Sequence, residues 1–117
     1  MVGAYLSGQP LNHQLLERSG RLLRTCHTAP RYRLYALPNA IPPRSDLVRD
    51  TTGTGCAIAV EVWRLPLRQY GSFVAMLPVP LSVGRIELDD GSWAQGFLCE
   101  PSALAGAEEI SHYGGYE

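Results

Sequence analysis

Apolar residues recur along this chain in short runs, separated by glycine, proline and serine, which is the pattern of brief strands and a few short helices. Residues 1–6 form a short apolar run that reads as a buried strand and breaks at Ser7-Gly8-Gln9-Pro10. From about 12 to 24 the pairs Leu15/Leu16 and Leu22/Leu23 recur seven apart, predicting one amphipathic helix that Gly20 weakens without breaking. In 31–37, Tyr32, Leu34 and Ala36 alternate with Arg31, Arg33 and Tyr35, predicting a strand with one polar face. The proline-rich stretch 38–45 cannot sustain regular structure and is expected to be an extended loop.

A short strand over 47–49 and a turn over 51–55 lead into 56–65, the strongest strand, rich in Val, Ile and Trp. Leu67, Tyr70, Phe73, Val74 and Leu77 then fall at helical spacing behind Pro66. Strands over 83–88 and 92–99 flank Asp89-Asp90-Gly91, a hairpin signal, and a short helix is expected over about 101–107. About six strands with two or three helices predict an α+β fold, and a small mixed β-barrel with helices outside accommodates that count.

A chain of 117 residues is one domain, 1–117, large enough to bury a single core. Its net charge of −1 provides no electrostatic basis for binding nucleic acid or an anionic membrane. The ten basic residues are all arginine, so Schiff-base chemistry on a lysine is excluded and bidentate recognition of carboxylates is favoured. Cys26, Cys56 and Cys99 are odd in number and contain no Cys-x-x-Cys pair, which argues against disulfides and zinc and for a reducing, cytoplasmic setting. No apolar stretch reaches membrane-spanning length, and no metal or cofactor is expected.

Candidate chemistry centres on the turn after the first apolar run. A strand-to-turn junction frees backbone N–H groups that can hold an anion without a charged side chain. Glu61 lies within the most apolar strand, on one face with Ala59 and Trp63. A carboxylate there needs partners, for which Arg33 and Arg49 are the candidates, and it reads either as a substrate-facing acid or as half of a structural ion pair. His13, His27 and His112 have no metal-like spacing, and Ser7 has no nucleophile-elbow context.

Several blocks, in order, carry a family resemblance over nearly the whole chain. They begin with Val2-Gly3-Ala4-Tyr5-Leu6-Ser7-Gly8-Gln9-Pro10-Leu11-Asn12 and Ala29-Pro30-Arg31-Tyr32-Arg33-Leu34-Tyr35-Ala36-Leu37-Pro38. Asp46-Leu47-Val48-Arg49, Val60-Glu61-Val62-Trp63-Arg64-Leu65-Pro66 and Pro78-Val79-Pro80-Leu81-Ser82-Val83-Gly84 follow. Asp90-Gly91, Gly96-Phe97-Leu98-Cys99-Glu100 and Tyr113-Gly114-Gly115-Tyr116 complete the set. Together they resemble the C-terminal domain of allophanate hydrolase, which shares the gamma-glutamylcyclotransferase-like fold.

The resemblance implies that the amides of Leu6, Ser7 and Gly8 face a ligand carboxylate, with Asn12 beside them. Tyr5 stands where the family commonly has histidine, and the arginine that commonly follows the last aromatic is absent here. Cyclotransferases place a catalytic glutamate after the unit that holds Glu61. Residues 76–81 contain no acid, so cyclotransferase chemistry is not expected. In the family, this domain is credited with decarboxylating N-carboxycarbamate during urea and allophanate degradation, a part of nitrogen metabolism, and in some members with subunit assembly.

On that footing Tyr5, Arg33 and Glu61 are the candidate catalytic residues. Leu6, Ser7, Gly8, Asn12, Tyr35, Arg49 and Pro80 are the candidate ligand contacts, Pro80 as part of an apolar wall over 78–83 that desolvates the departing carboxylate. Expected partners are a small carboxylated urea derivative, an amidase domain or subunit, or a second copy in a homodimer. The alternative is a non-catalytic assembly or amidase-binding module displaying Trp93, Tyr113 and Tyr116 on a broad apolar surface.

Overall fold

The computed structural model describes residues 6–9, 11–36, 45–77, 81–101, 104 and 107–111. Most of the first predicted strand, residues 38–44 of the predicted 38–45 loop and most of the 101–107 helix lie outside them, as do Tyr5, Pro80, His112, Tyr113 and Tyr116, while Ser45 begins a strand instead of ending the loop. After the turn Leu6–Gln9, closed by the Gln9 amide on the Leu6 carbonyl at 2.9 Å, the chain enters helix α1, His13–Leu16.

The predicted 12–24 helix is therefore only one turn long, and its second half is strand β1, Arg21–His27. Ser19 adopts φ 59°, and the Gly20 amide folds back onto the Leu15 carbonyl at 2.9 Å, which closes the helix with a left-handed residue. A Cβ on Gly20 would sit 2.6 Å from that carbonyl oxygen, so only glycine fits. The sevenfold spacing of the leucines was a coincidence of two elements. Leu15 is fully buried, whereas Leu22 and Leu23 remain exposed on β1.

Two sheets follow. β1 pairs antiparallel with β4, Ala59–Arg64, with Cys26 opposite Val60 and a register shift between Leu22 and Arg24. The other strands are β2, Tyr32–Ala36; β3, Ser45–Arg49; β5, Leu81–Glu87; β6, Trp93–Cys99; and β7, Glu108–Glu109. They form a five-stranded sheet in the order β5-β6-β3-β2-β7, in which only β3 and β6 run parallel. The expected hairpin is present, turning at Gly91 with φ 85° and pairing Glu87 with Trp93.

Single bridges, Thr28 to Leu88 and Tyr32 to Cys56, join the sheets. The α+β class holds, but the expected barrel does not close among the described residues: the strands divide into two ladders. The main core lies between them, with Tyr32, Leu34, Leu47, Ile58, Val60, Ile86, Leu88 and Ile110. A second cluster, Leu11, Leu15 and Phe73, ties α1 to helix α2, Leu67–Ala75, which starts directly behind Pro66 as its spacing predicts. Phe73 packs on Phe97 of β6 at 5.4 Å between ring centroids. None of the described helices is long and apolar enough to cross a membrane.

Candidate functional site

Glu61 sits in the middle of β4, opposite Thr25 of β1, where flanking Val60 and Val62 drive the strand into the core. It is 9% exposed. Its Oε1 accepts from the Ser7 amide at 2.9 Å, the Ser7 hydroxyl at 3.0 Å and the Trp63 indole Nε1–H at 3.0 Å. Charge-assisted bonds of this kind stabilise a buried carboxylate. β4 and the Leu6–Gln9 turn, remote in sequence, are thereby pinned together.

The turn is shaped for this contact. Gly8 adopts φ 81°, and the Asn12 amide bonds the Gln9 carbonyl at 3.1 Å, so the turn feeds straight into α1. Asn12 is buried at the start of that helix. Glu61 lines two hollows. One, of about 80 Å³, is bounded by Leu6, Ser7 and Gln9 of the turn with Thr25 and Val60. The other, of about 380 Å³, lies between the sheets and α2, and its polar lining includes Asp46, Glu61, Trp63, Arg64, Tyr70 and Gln95. The Tyr70 hydroxyl of α2 bonds the Gln95 side chain of β6 at 2.5 Å on this rim.

The structure thus sets the Leu6–Gln9 turn, with Asn12 just behind it, against Glu61 and leaves the predicted arginines elsewhere. Neither Arg33 nor Arg49 pairs with Glu61. Arg33 bonds Asp50 at 3.2 Å and Glu109 at 2.8 Å, and also reaches the Thr54 hydroxyl. It straps β7 and the 50–54 turn to β2, and the Asp50 hydrogen bond is the main cause that raises its pKa. Asp50 is held below the usual carboxylate range first by the Thr52 hydroxyl, then by Arg33 and the Thr54 amide. Arg49 contacts Glu87 at 3.6 Å and the Tyr32 hydroxyl at 3.2 Å. Tyr35 lies in β2 opposite Asp46 and Glu109.

Sequence reasoning missed Asp46, Arg64, Tyr70 and Gln95. Asp46 is 1% exposed within a strand whose first three residues are all buried, so no alternation marked it. It also helps burial push the Cys99 thiol up to about 11. Trp63 was placed on the correct face by strand alternation, but its bond to Glu61 was not foreseen. His13 and His27 are exposed, and the described residues contain no group of three His, Cys, Asp or Glu arranged to hold a metal ion.

Comparison with known proteins places this geometry in context. The model of the allophanate hydrolase C-terminal domain matches residues 1–117. The urea amidolyase of Saccharomyces cerevisiae is 38% identical over 119 residues, covering 99% of this chain and 6% of the yeast protein. Allophanate hydrolase of Kluyveromyces lactis superposes with a TM-score of 0.94 at 39% identity, over 98% of this chain and 19% of that one. A uropathogenic E. coli-specific protein superposes with a TM-score of 0.86 at 29% identity, covering 97% of this chain and 86% of its own. The chain spans only 6–7% of the length of the curated urea amidolyases it matches. By a match along its entire length, the chain belongs to the allophanate hydrolase C-terminal domain family.

Proposed function

We propose that this domain binds a small carboxylated urea derivative where the Leu6–Gln9 turn meets the Glu61 cavity, and accelerates its loss of carbon dioxide. The reading is carried by one observation: Ser7 N–H, Ser7 O–H and Trp63 Nε1–H converge on a single carboxylate oxygen of Glu61. A turn whose groups hold one carboxylate has the geometry to hold a second with the neighbouring Leu6 and Gly8 amides and Asn12. With N-carboxycarbamate as ligand, the C–N bond to one carboxylate breaks, carbon dioxide leaves, and the electron pair stays on nitrogen, which takes a proton to give carbamate.

In this proposal the departing carboxylate faces the apolar wall formed with Leu81 and Phe97, and the acids Asp46 and Glu61. Desolvation and like charge both disfavour the dianion, and losing carbon dioxide relieves them. Arg64, on the rim of the larger cavity, offsets the charge of the bound dianion. Tyr5 is the proposed proton donor. Glu61, engaged by three donors, serves as anchor of the turn rather than as a cyclotransferase base. Two sheets bridged around a shared cavity support reading the fold as an open form of the gamma-glutamylcyclotransferase-like barrel.

Malonate, which replaces the central nitrogen of N-carboxycarbamate by carbon, tests the site directly. Titration followed by amide chemical shifts is expected to move Leu6, Ser7 and Gly8 most. Shifts confined to other surfaces overturn the proposal. A second reading, an assembly module for an amidase domain or a second copy, draws on Leu16, Leu22 and Leu23, exposed at 59, 44 and 54%. It predicts that Leu22→Ser with Leu23→Ser abolishes association measured by light scattering, and an unchanged mass rules it out.

A further inference from the structure

Trp93, proposed from sequence as part of an apolar surface, is 47% exposed but is set among guanidinium groups. Arg49 and Arg85 lie over its ring at 5.4 and 5.8 Å, and Arg49 also lies 5.7 Å from the centroid of the Tyr32 ring. Glu87, directly across the β5–β6 ladder from Trp93, contacts Arg31 at 3.3 Å and Arg49 at 3.6 Å. Two arginines therefore share one carboxylate, and Arg85, which lies over the neighbouring Trp93 ring, has no acidic partner among the described residues. None of these side chains lines either cavity.

A guanidinium stacked on an aromatic ring has its face occupied, while its N–H edge remains available for a bidentate carboxylate contact. Stacking also restrains the long side chain in advance, which lowers the ordering cost of binding. Exposed tryptophan beside arginine is the composition of an interface hot spot. The cluster carries a local excess of positive charge on a chain whose net charge is −1, which favours a compact acidic patch over an extended polyanion.

We infer that Trp93, with Arg49 and Arg85 over its ring and Arg31 beside them on Glu87, is a docking surface for a carboxylate-bearing segment of a partner protein. Glu87 holds Arg31 and Arg49 in place, and Arg85 supplies the unmatched charge. The surface is separate from the Glu61 site, so it stands whether or not that site decarboxylates anything.

A fluorescently labelled hexaglutamate peptide is the probe, titrated against the whole chain by anisotropy at low salt. Binding is expected to weaken about tenfold in Arg85→Glu and comparably in Trp93→Ala, and to fall as salt is raised. Arg85→Gln, a milder change at an exposed position, is expected to weaken it less, with an unchanged melting temperature reporting an intact fold. Absence of peptide binding overturns the inference, as does binding that is indifferent to both Arg85 variants. Tighter, equally Arg85-dependent binding of a DNA duplex or of inorganic phosphate also overturns it, assigning the surface to phosphate instead.

Discussion

Removing the Glu61 carboxylate cuts the tie between β4 and the Leu6–Gln9 turn. Glu61→Ala deletes the shared acceptor of the Ser7 amide, the Ser7 hydroxyl and the Trp63 indole. Hydrogen bonds to an ionised group contribute about 1.5–3 kcal/mol each, but donors that water can reach recover most of that when released. Ser7 is exposed and Trp63 is half-buried, so the indole bond and the lost packing dominate the cost. Together they give a destabilisation of about 2–3 kcal/mol, which for a domain of this size lowers the melting temperature by about 10 °C. Glu61→Gln keeps an acceptor without the charge, and its expected cost is about 1 kcal/mol.

Thermal melting by circular dichroism measures the loss, and hydrogen exchange at the Ser7 amide localises it. Formate at tens of millimolar is expected to occupy the vacated oxygen position, raising the melting temperature of Glu61→Ala but not of the wild-type chain. An alanine variant that melts like the wild type, with unchanged Ser7 protection and no response to formate, refutes the reasoning.

Gly20→Ala is expected to cost about 1–3 kcal/mol in chemical denaturation, because its Cβ meets the Leu15 carbonyl oxygen at 2.6 Å. Ser19→Gly, which relieves a non-glycine residue at φ 59°, is expected to leave stability unchanged or improved. The Cys99 thiol, pushed from 9.0 to about 11 chiefly by burial, should alkylate at pH 8 about a hundredfold more slowly than an unshifted thiol. Since its folded pKa is the raised one, its contribution to stability is intact below pH 9 and is lost as pH climbs towards about 11, which a denaturation series across that range reads out. Arg33→Ala severs the bonds to Asp50 and Glu109, so exchange of the Ile110 amide, bonded to Leu34 at 2.7 Å, should accelerate.

Elements set by local chemistry were legible in the sequence. The β-branched run into Trp63, the Asp90-Gly91 turn and the helix behind Pro66 each carry their signal within ten residues or so, and each is present. The 12–24 segment failed because leucine spacing cannot distinguish a helix from a helix turn followed by a strand. The better signal was Ser19-Gly20, a left-handed cap in sequence form. Glu61 stood out as an acid in an apolar strand, but its partner lies 54 residues away. An arginine was the default guess on charge alone, whereas the fold supplies neutral N–H and O–H donors. Arg33 and Arg49 found acids nearer their own strands, at Asp50, Glu109 and Glu87. Asp46 is inside because β3 lies between β2 and β6, a topological fact that no window of sequence contains.

The central claim is tested most directly by following carbon dioxide release from allophanate with a lone amidase domain, with and without this chain, in an assay that resolves the carboxylated intermediate. The account predicts faster loss of that intermediate when the chain is added, diminished by Asn12→Ala and by Arg64→Ala. An intermediate that decays at the same rate with and without the chain, while the amidase remains active, contradicts it.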